Sequence, residues 1–222
     1  MSVRTLFFAL FAIVAIDAQA ATVTLLGRPI EVVIPNGYCE AGNHPADAEM
    51  VRRTREGIGN SNQIIVLFAD CKELEDFRKD KRTMIDNYGQ MLAQQTPKGQ
   101  ILAFKGVSRA EYIQKISDRS SYFPEAFKKA EARAKEFIPG NPSIENLGLL
   151  STDSNGLYFG LLMVLSNDTG KLRTVVGVSG MTLVKERSIS INLYQVYKKT
   201  PDLRGLLTRQ QSAMANFVRS NN

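Results

Sequence analysis

Hydrophobic and polar positions are spaced in different ways along the chain, and each spacing predicts a type of element. Two β-rich runs, Thr22–Leu26 and Pro29–Ile34, flank a short turn at Gly27-Arg28, which predicts an N-terminal hairpin. The run Gln63–Ala69 is the most apolar one after the first twenty residues, and it is short and rich in β-branched residues. Such a run is typical of a buried central strand rather than a helix.

In the middle of the chain, capping patterns and the spacing of hydrophobic residues mostly predict helices. Asp70 with Glu73, and Ser108 with Glu111, match the capping-box pattern that begins many helices. Helices are expected over Pro45–Glu56 (stopping at Gly57 and Gly59), after Asp70, over Ile85–Ala93, after Ser108 and over Glu125–Phe137, with a strand over Gln100–Phe104.

Most of the C-terminal half consists of β-rich runs separated by short breaks. The runs are Leu147–Thr152, Leu157–Leu165, Leu172–Val184 and Ile189–Tyr197, and their succession predicts an antiparallel meander. Thr200 and Pro201 then open a helix with a single apolar face, formed by Leu203, Leu206, Leu207, Met214, Phe217 and Val218. This face is expected to pack on the sheet; the alternative is an interfacial membrane anchor.

Together these elements predict a single α+β domain over residues 21–222, with a mostly antiparallel sheet covered by helices. Additional helical material is expected around residues 108–142. The chain has 222 residues, of which 44% are hydrophobic and 23% charged, an ordinary globular composition. A domain of this size can bury a core without metal ions or a disulfide framework.

The first twenty residues match a cleaved signal peptide. Arg4 supplies a basic start, Leu6–Ile16 is an apolar run, and Ala18-Gln19-Ala20 has the small-x-small pattern of a cleavage site. The alternative, a membrane anchor, would need about 20 apolar residues, and Asp17 interrupts the run too early. No later stretch of the sequence has the length and hydrophobicity of a transmembrane segment. We therefore expect a periplasmic or secreted protein.

Export bears on the two cysteines. In an oxidising compartment Cys39 and Cys71 are expected to form a disulfide. The alternative is a reactive thiol at Cys71, because Asp70-Cys71-Lys72-Glu73 has the character of a helix start, and a helix N-terminus lowers the pKa of a thiol.

Two groups of motifs suggest a family. Ile34-Pro35-Asn36-Gly37-Tyr38 resembles the opening of PsbP-like proteins, in which a strand precedes Pro, any residue, Gly and an aromatic residue. Ile189–Tyr194 and the helix ending near Phe217-Val218 resemble their C-terminal half. Ser108–Pro142 does not match. This weaker resemblance implies an α/β/α sandwich that acts as a binding or assembly module rather than an enzyme.

The chain looks closer to an uncharacterised family of exported proteobacterial proteins. The motifs that carry this likeness are Gly-Tyr-Cys and Phe-Ala-Asp-Cys, here Gly37–Cys39 and Phe68–Cys71. This family brings no activity with it.

Residues typical of catalysis are sparse. The single histidine, His44, lies in a Gly/Pro-rich loop and is expected to be exposed. Ser179 lies in Gly-Val-Ser-Gly, which lacks the frame of a nucleophile elbow and falls within a predicted strand, where its glycines indicate a bulge or close backbone approach. Glu73, Glu75 and Asp76 are expected to form a solvated face. No catalytic residue, metal site or cofactor is therefore predicted.

Positive charge is the remaining feature, because 28 Lys and Arg stand against 22 Asp and Glu, a formal net charge of +6. A basic binding surface is predicted from Arg52, Arg53, Arg55, Arg78, Lys79, Lys81 and Arg82; the alternative is ordinary surface charge. Because export argues against nucleic acid, the predicted partner is an envelope protein or an anionic envelope component. We expect a non-catalytic binding or accessory module; the alternative is a periplasmic hydrolase-like enzyme.

Overall fold

The computed structural model describes residues 21–119, 142–166, 172–197 and 203–222, together with residues 128, 131, 132 and 135. The predicted signal peptide lies outside these residues, as does most of the predicted helix Glu125–Phe137. The described elements, in chain order, are β1 Ala21–Leu25, β2 Arg28–Val32, β3 Tyr38–Ala41, α1 Ala48–Ile58, β4 Asn62–Asp70, α2 Cys71–Arg78, β5 Asn87–Gln94, α3 Arg109–Asp118, β6 Ser143–Thr152, β7 Leu157–Ser166, β8 Leu172–Val184, β9 Arg187–Val196 and α4 Leu203–Ser220.

Seven strands form one antiparallel sheet in the order β3-β4-β5-β9-β8-β7-β6, and β1 and β2 form a separate hairpin. The meander from β6 to β9 and the N-terminal hairpin are confirmed. The chain is thus a single α+β domain, and in its described part a seven-stranded antiparallel sheet packs with the helices α1 to α4.

Helices cover both faces of the sheet. Phe68, Ile191 and Val178 belong to a core that includes α4 and the β1–β2 hairpin. The next residues along the strands point to the opposite face, where Leu67 joins a cluster with Leu74 of α2. At the other end of that face a third cluster contains Tyr112 and Ile113 of α3.

The predicted packing of the C-terminal helix is confirmed. Phe217 is 0% exposed, and Leu206 and Met214 of the same face are also fully buried against β8 and β9. Among the described helices, none has the length and hydrophobicity needed to cross a membrane.

The predicted helix over Ile85–Ala93 is wrong, because this segment contains β5, a strand in the middle of the sheet. β5 pairs with β4 on one side and with β9 on the other, from Asn87↔Gln195 to Ala93↔Ile189. Met, Leu, Ala and Gln favour helices in isolation, but two ladders of backbone hydrogen bonds override that preference. Gln100–Phe104, predicted as a strand, makes only two isolated bridges.

The helix boundaries differ from the predicted ones in detail. Pro45–Asp47 is a short 3-10 turn, and α1 continues through Gly57 to Ile58. Ser108 and Glu111 form the complete capping box at α3. At α2, Asp70 accepts a hydrogen bond from the Glu73 amide, but the Glu73 carboxylate accepts from Asp86 and Asn87 instead of closing the box.

The predicted disulfide is confirmed, with the Cα atoms of Cys39 and Cys71 4.8 Å apart. It joins β3 to the first residue of α2 and excludes the reactive-thiol alternative. A disulfide is consistent with an oxidising, extracytoplasmic compartment.

Candidate binding surfaces

The residues of the predicted basic surface lie on α1, on α2 and just after α2, and most of them contact carboxylates of the same chain. Arg52 pairs with Glu49 and Glu56, and Arg53 with Glu49, all on α1. Hydrogen bonds from Arg52 and Arg53 hold the pKa of Glu49 at about 2. Exposed pairs of this kind neutralise charge but contribute little stability.

Arg78 contacts a carboxylate that is buried within the fold. Its Nε and Nη2 donate to Asp47 Oδ1 and Oδ2 at 3.1 and 2.5 Å, and the Asp47 side chain is fully buried. Burial alone would raise the pKa of Asp47, but the hydrogen bonds from Arg78 and from the Gly42 amide outweigh it and hold that pKa below its ordinary value.

The other cations of the predicted basic surface fall into two groups, those that contact a carboxylate and those that do not. Lys79 pairs with Glu75, and Arg82 contacts Glu73 at 3.4 Å and Asp86 at 3.1 Å. Arg55 and Lys81 have no carboxylate partner among the residues that the structure describes.

The acidic residues of this region outnumber its basic ones. Residues 38–86 contain eight Lys and Arg and ten Asp and Glu. The excess positive charge of the chain therefore lies elsewhere.

A cleft of about 520 Å³ lies between α1 and the free edge of β4. Its walls include Val51, Arg55 and Ile58 of α1 and the β4 residues from Asn62 to Leu67. β3 covers only the second half of β4, because its register begins at Tyr38↔Asp70 and ends at Ala41↔Leu67. Among the described strands, none pairs with the first half of β4 on this side.

The chain leaves this edge at Gly42 for an identifiable reason. The Gly42 amide donates to Asp47 Oδ2 at 2.8 Å, and its φ of 119° is one that favours glycine. Because Arg78 holds Asp47, the Arg78–Asp47 pair directs the chain away from β4 after Gly42. Arg78, predicted as a binding residue, is placed to shape the cleft rather than to line it.

Backbone groups of Asn62 and Ile64 face this cleft without partners. The Ser61 carbonyl accepts from the Gln95 amide at 2.9 Å, so residues 61 and 63 direct their backbone groups towards β5. Asn62 and Ile64, which alternate with them, direct theirs outwards. No backbone or side-chain group among the described residues bonds to them on that side.

A second concentration of cations surrounds the β8–β9 turn, Lys185-Glu186. It consists of Arg28, Lys105, Arg109, Lys185 and Arg187, which we call the turn-end cations. Lys185 donates to the Pro29 carbonyl and Arg109 to the Leu183 carbonyl. Burial lowers the pKa of Arg109 from its ordinary value.

Arg187 is only 5% exposed, and carbonyl oxygens are its main acceptors. Its guanidinium donates to the carbonyls of Lys185, Glu186 and Leu26 at 3.3–3.4 Å, and Glu186 Oε2 is 3.9 Å away. No carboxylate among the described residues pairs with the other four turn-end cations.

The residues weighed for catalysis are not brought together. His44 is exposed, and its Nδ1 accepts from the Ala46 amide. Ser179 lies within β8, as predicted, and donates to Asn192 at 2.6 Å. Gly177 beside it gives room to the Tyr194 ring, because a Cβ there would lie 2.7 Å from the ring, which confirms the expected close approach.

Glu73 belongs to the structure of α2 and β5 rather than to an acid–base pair, and Glu75 pairs with Lys79. Burial raises the pKa of Tyr88, which stacks on Tyr194, to about 12. Within the described ranges, no three His, Cys, Asp or Glu side chains are grouped as a metal ion requires.

Sequence reasoning did not find either surface. Both depend on contacts between residues distant in sequence, and neither has a motif. The one local signal is that Leu26, Lys185 and Glu186 occupy turn positions that favour Gly, Asn or Asp.

Comparison with known proteins adds no family: no family model matches the chain, and a search of curated proteins finds no match.

Proposed function

We propose that the protein is an exported, non-catalytic binding or accessory module of the bacterial cell envelope. The cleft between α1 and β4 is its binding site, and an extended polypeptide segment is its ligand. The observation that carries this proposal is the outward-facing backbone of Asn62 and Ile64, whose donors and acceptors have no described partner.

Such groups favour a strand-like ligand. An extended segment laid along β4 would pair with these amides and carbonyls, as in strand addition to a sheet edge. Val51, Ile58 and Ile64 supply apolar contacts to alternate side chains of the segment. Arg55 lines the cleft and has no carboxylate partner among the described residues, so it favours an acidic residue in the ligand.

The cellular setting rests on further support. The predicted signal peptide and the Cys39–Cys71 disulfide favour the periplasm or the medium. Helices on both sheet faces support the PsbP-like α/β/α arrangement as the finer description of the fold, although a fold by itself leaves function open.

Binding of synthetic peptides tests the proposal. The probes are hexapeptides that alternate Val or Ile with Thr, each with one Glu, and counterparts with Lys in its place. We expect the Glu peptides to bind, and Arg55→Gln to weaken binding about tenfold through the lost charged contact. Arg52→Gln, on the same helix but outside the cleft lining, is the matched control and should bind as the wild type does.

N-methylation tests the strand-addition geometry. Methyl groups on the amides that face β4 should abolish binding, whereas methylation of the intervening amides should not. Equal effects of the two patterns, or equal effects of Arg55→Gln and Arg52→Gln, would refute the proposal. Mass spectrometry of the peptides after incubation distinguishes the hydrolase-like alternative, which requires cleaved products.

A further inference from the structure

Three loops meet at the end of the sheet that carries the turn-end cations. The Phe104 amide donates to the Glu186 carbonyl, and the Gly106 amide donates to Glu186 Oε1. On the other side, Arg187 and Lys185 bond to the carbonyls of Leu26 and Pro29 in the β1–β2 turn. The β1–β2 turn, the β8–β9 turn and the loop around Lys105 therefore form one continuous surface, which we call the turn surface.

Leu26 is an exposed apolar residue within this surface. Its side chain is 55% exposed, next to the exposed Arg28 and close to the β8–β9 turn. The position lies at the tip of a hairpin, where the side chain projects from the sheet instead of packing on it.

The backbone of both turns is costly for the residues they contain. Leu26 has a φ of 49°, and Lys185 and Glu186 have φ values of 44° and 65°. This left-handed region is unfavourable for a residue with a side chain, because the Cβ atom lies too close to the following carbonyl oxygen. Gly, Asn or Asp would fit these positions better, so the turns hold an apolar tip and a cation at an energetic cost.

Within the part of the chain that the structure describes, most cations of the turn surface have no carboxylate partner. Of the turn-end cations, Arg28, Lys105 and Lys185 are exposed. The carboxylates next to them along the chain are Glu31, Glu111 and Glu186, and two of these are engaged, Glu111 by Ser108 and Glu186 by the Gly106 amide.

We propose that the turn surface docks on an anionic lipid bilayer, with Leu26 inserted among the headgroups and Arg28, Lys105 and Lys185 in contact with lipid phosphates. This inference does not rest on the cleft, since the two surfaces share no residue. Exposed cations around an apolar tip complement a negatively charged membrane, and cations near such a surface each add to binding.

A bilayer fits this surface better than an acidic protein does. The turn surface is built from turn tips rather than a groove, and the exposed Leu26 adds an apolar side chain that a bilayer can take up next to its phosphates. The cations also lie on three separate loops that meet at the β8–β9 turn, which suits many mobile headgroups.

Vesicle flotation tests the proposal. The probes are vesicles of equal parts phosphatidylethanolamine and phosphatidylglycerol, and neutral phosphatidylcholine vesicles, at low and physiological salt. The protein is the form recovered from the envelope, with its mass determined, and every variant has the same N-terminus. We expect binding to the anionic vesicles that salt weakens, and none to the neutral ones.

Variants of the turn surface should lose this binding. Lys185→Asn, Arg28→Gln and Lys105→Gln should each lower vesicle partitioning about fivefold. Leu26→Asn should lower vesicle partitioning about tenfold, because it removes the inserted apolar side chain. Asn suits the turn, so this variant should fold. A cooperative urea transition checks that each variant folds.

The control variants change an exposed leucine and several cations that lie outside the turn surface. Leu172→Asn changes a leucine that is 63% exposed. The combined variant Arg52→Gln, Arg53→Gln and Lys79→Gln removes two cations from α1 and one from the residue that follows α2. Both should bind as the wild type does, as should Arg55→Gln.

The proposal is overturned by absence of binding to anionic vesicles, by equal binding to neutral ones, or by equal losses in the control variants. Capture by poly-glutamate without vesicle binding would assign the surface to an acidic protein instead. Because Arg55→Gln reports on peptide binding only, failure of one proposal leaves the other intact.

Discussion

The two ends of the sheet use arginine differently. At the α1–α2 end, Arg78 makes two hydrogen bonds to a fully buried carboxylate, and Arg52, Arg53, Lys79 and Arg82 also contact carboxylates. At the β8–β9 end, Arg187 is buried with carbonyl acceptors, and the cations around it have no described carboxylate partner. A cluster of basic residues in a sequence therefore does not locate a basic surface, because intervening acidic residues can neutralise it in the fold.

The largest expected effect concerns the disulfide at the α1–α2 end. Cys39→Ser with Cys71→Ser should lower the free energy of unfolding by about 3–4 kcal/mol, because the unfolded chain regains the freedom of a closed loop of 32 residues. Urea unfolding of the wild type and the double variant measures the difference. Unchanged stability would mean that the bridge does not constrain the unfolded chain.

Arg78, which is half-buried beside Asp47, and Arg187, which is buried, provide the next comparison. Arg78→Met should cost about 3 kcal/mol, because it leaves the Asp47 carboxylate buried without its cation. Arg187→Met should change stability by less than about 1 kcal/mol, since an apolar side chain of similar length replaces a cation bound only weakly to carbonyls. Equal losses in urea unfolding would show that the two ends do not differ as described.

The pH dependence of stability sharpens the same comparison. Because Asp47 has a lowered pKa in the folded protein, it contributes stability above its unfolded pKa of about 3.9, and this stability is lost as the pH falls through the lowered value. In Arg78→Met, burial without the Arg78 hydrogen bonds should raise the pKa of Asp47 instead. Asp47 should then favour folding most at low pH, where its carboxyl is protonated. Urea unfolding from neutral to acidic pH should show a smaller acid loss in Arg78→Met than in the wild type.

The smallest effect is expected at the turn surface. Leu26→Asn should raise the free energy of unfolding by roughly 0.5–1 kcal/mol, because Asn accepts the left-handed backbone more readily than Leu does. Leu172→Asn, at the exposed first residue of β8, is the control and should give no such gain. A stabilised Leu26→Asn variant that has also lost vesicle binding would show that Leu26 is retained at the expense of stability.

Local sequence predicted the elements whose signals are local. Ser108 and Glu111 predicted the start of α3, the alternation from Ile189 to Leu193 predicted β9, and export with two cysteines predicted the Cys39–Cys71 bridge. β5 was missed because Met91, Leu92 and Ala93 form a continuous buried run, which a strand covered on both faces shares with a buried helix. Its identity depends on pairing with β4 and β9.

The candidate sites could not be predicted for a related reason. The open edge at Asn62 and Ile64 exists because Asp47 draws Gly42 away, and Asp47 is held by Arg78, 31 residues further along the chain. The turn surface brings together residues from Leu26 to Arg187. Neither contact has a sequence pattern, and the basic residues that sequence reasoning selected remain a prediction as a binding surface.

The strand order also governs how the chain can fold. β5 lies beside β9, so that Gln90 bonds to Tyr194 across 104 residues of sequence. β3, β4 and β5 therefore keep an unpaired edge, and the β1–β2 hairpin lacks the α4 surface on which it packs, until nearly the whole chain has been synthesised. Contacts between such distant segments slow folding, because a large loop must close before they form. The nascent chain should thus remain without its native core for most of its synthesis, a state suited to crossing a membrane as an extended polypeptide.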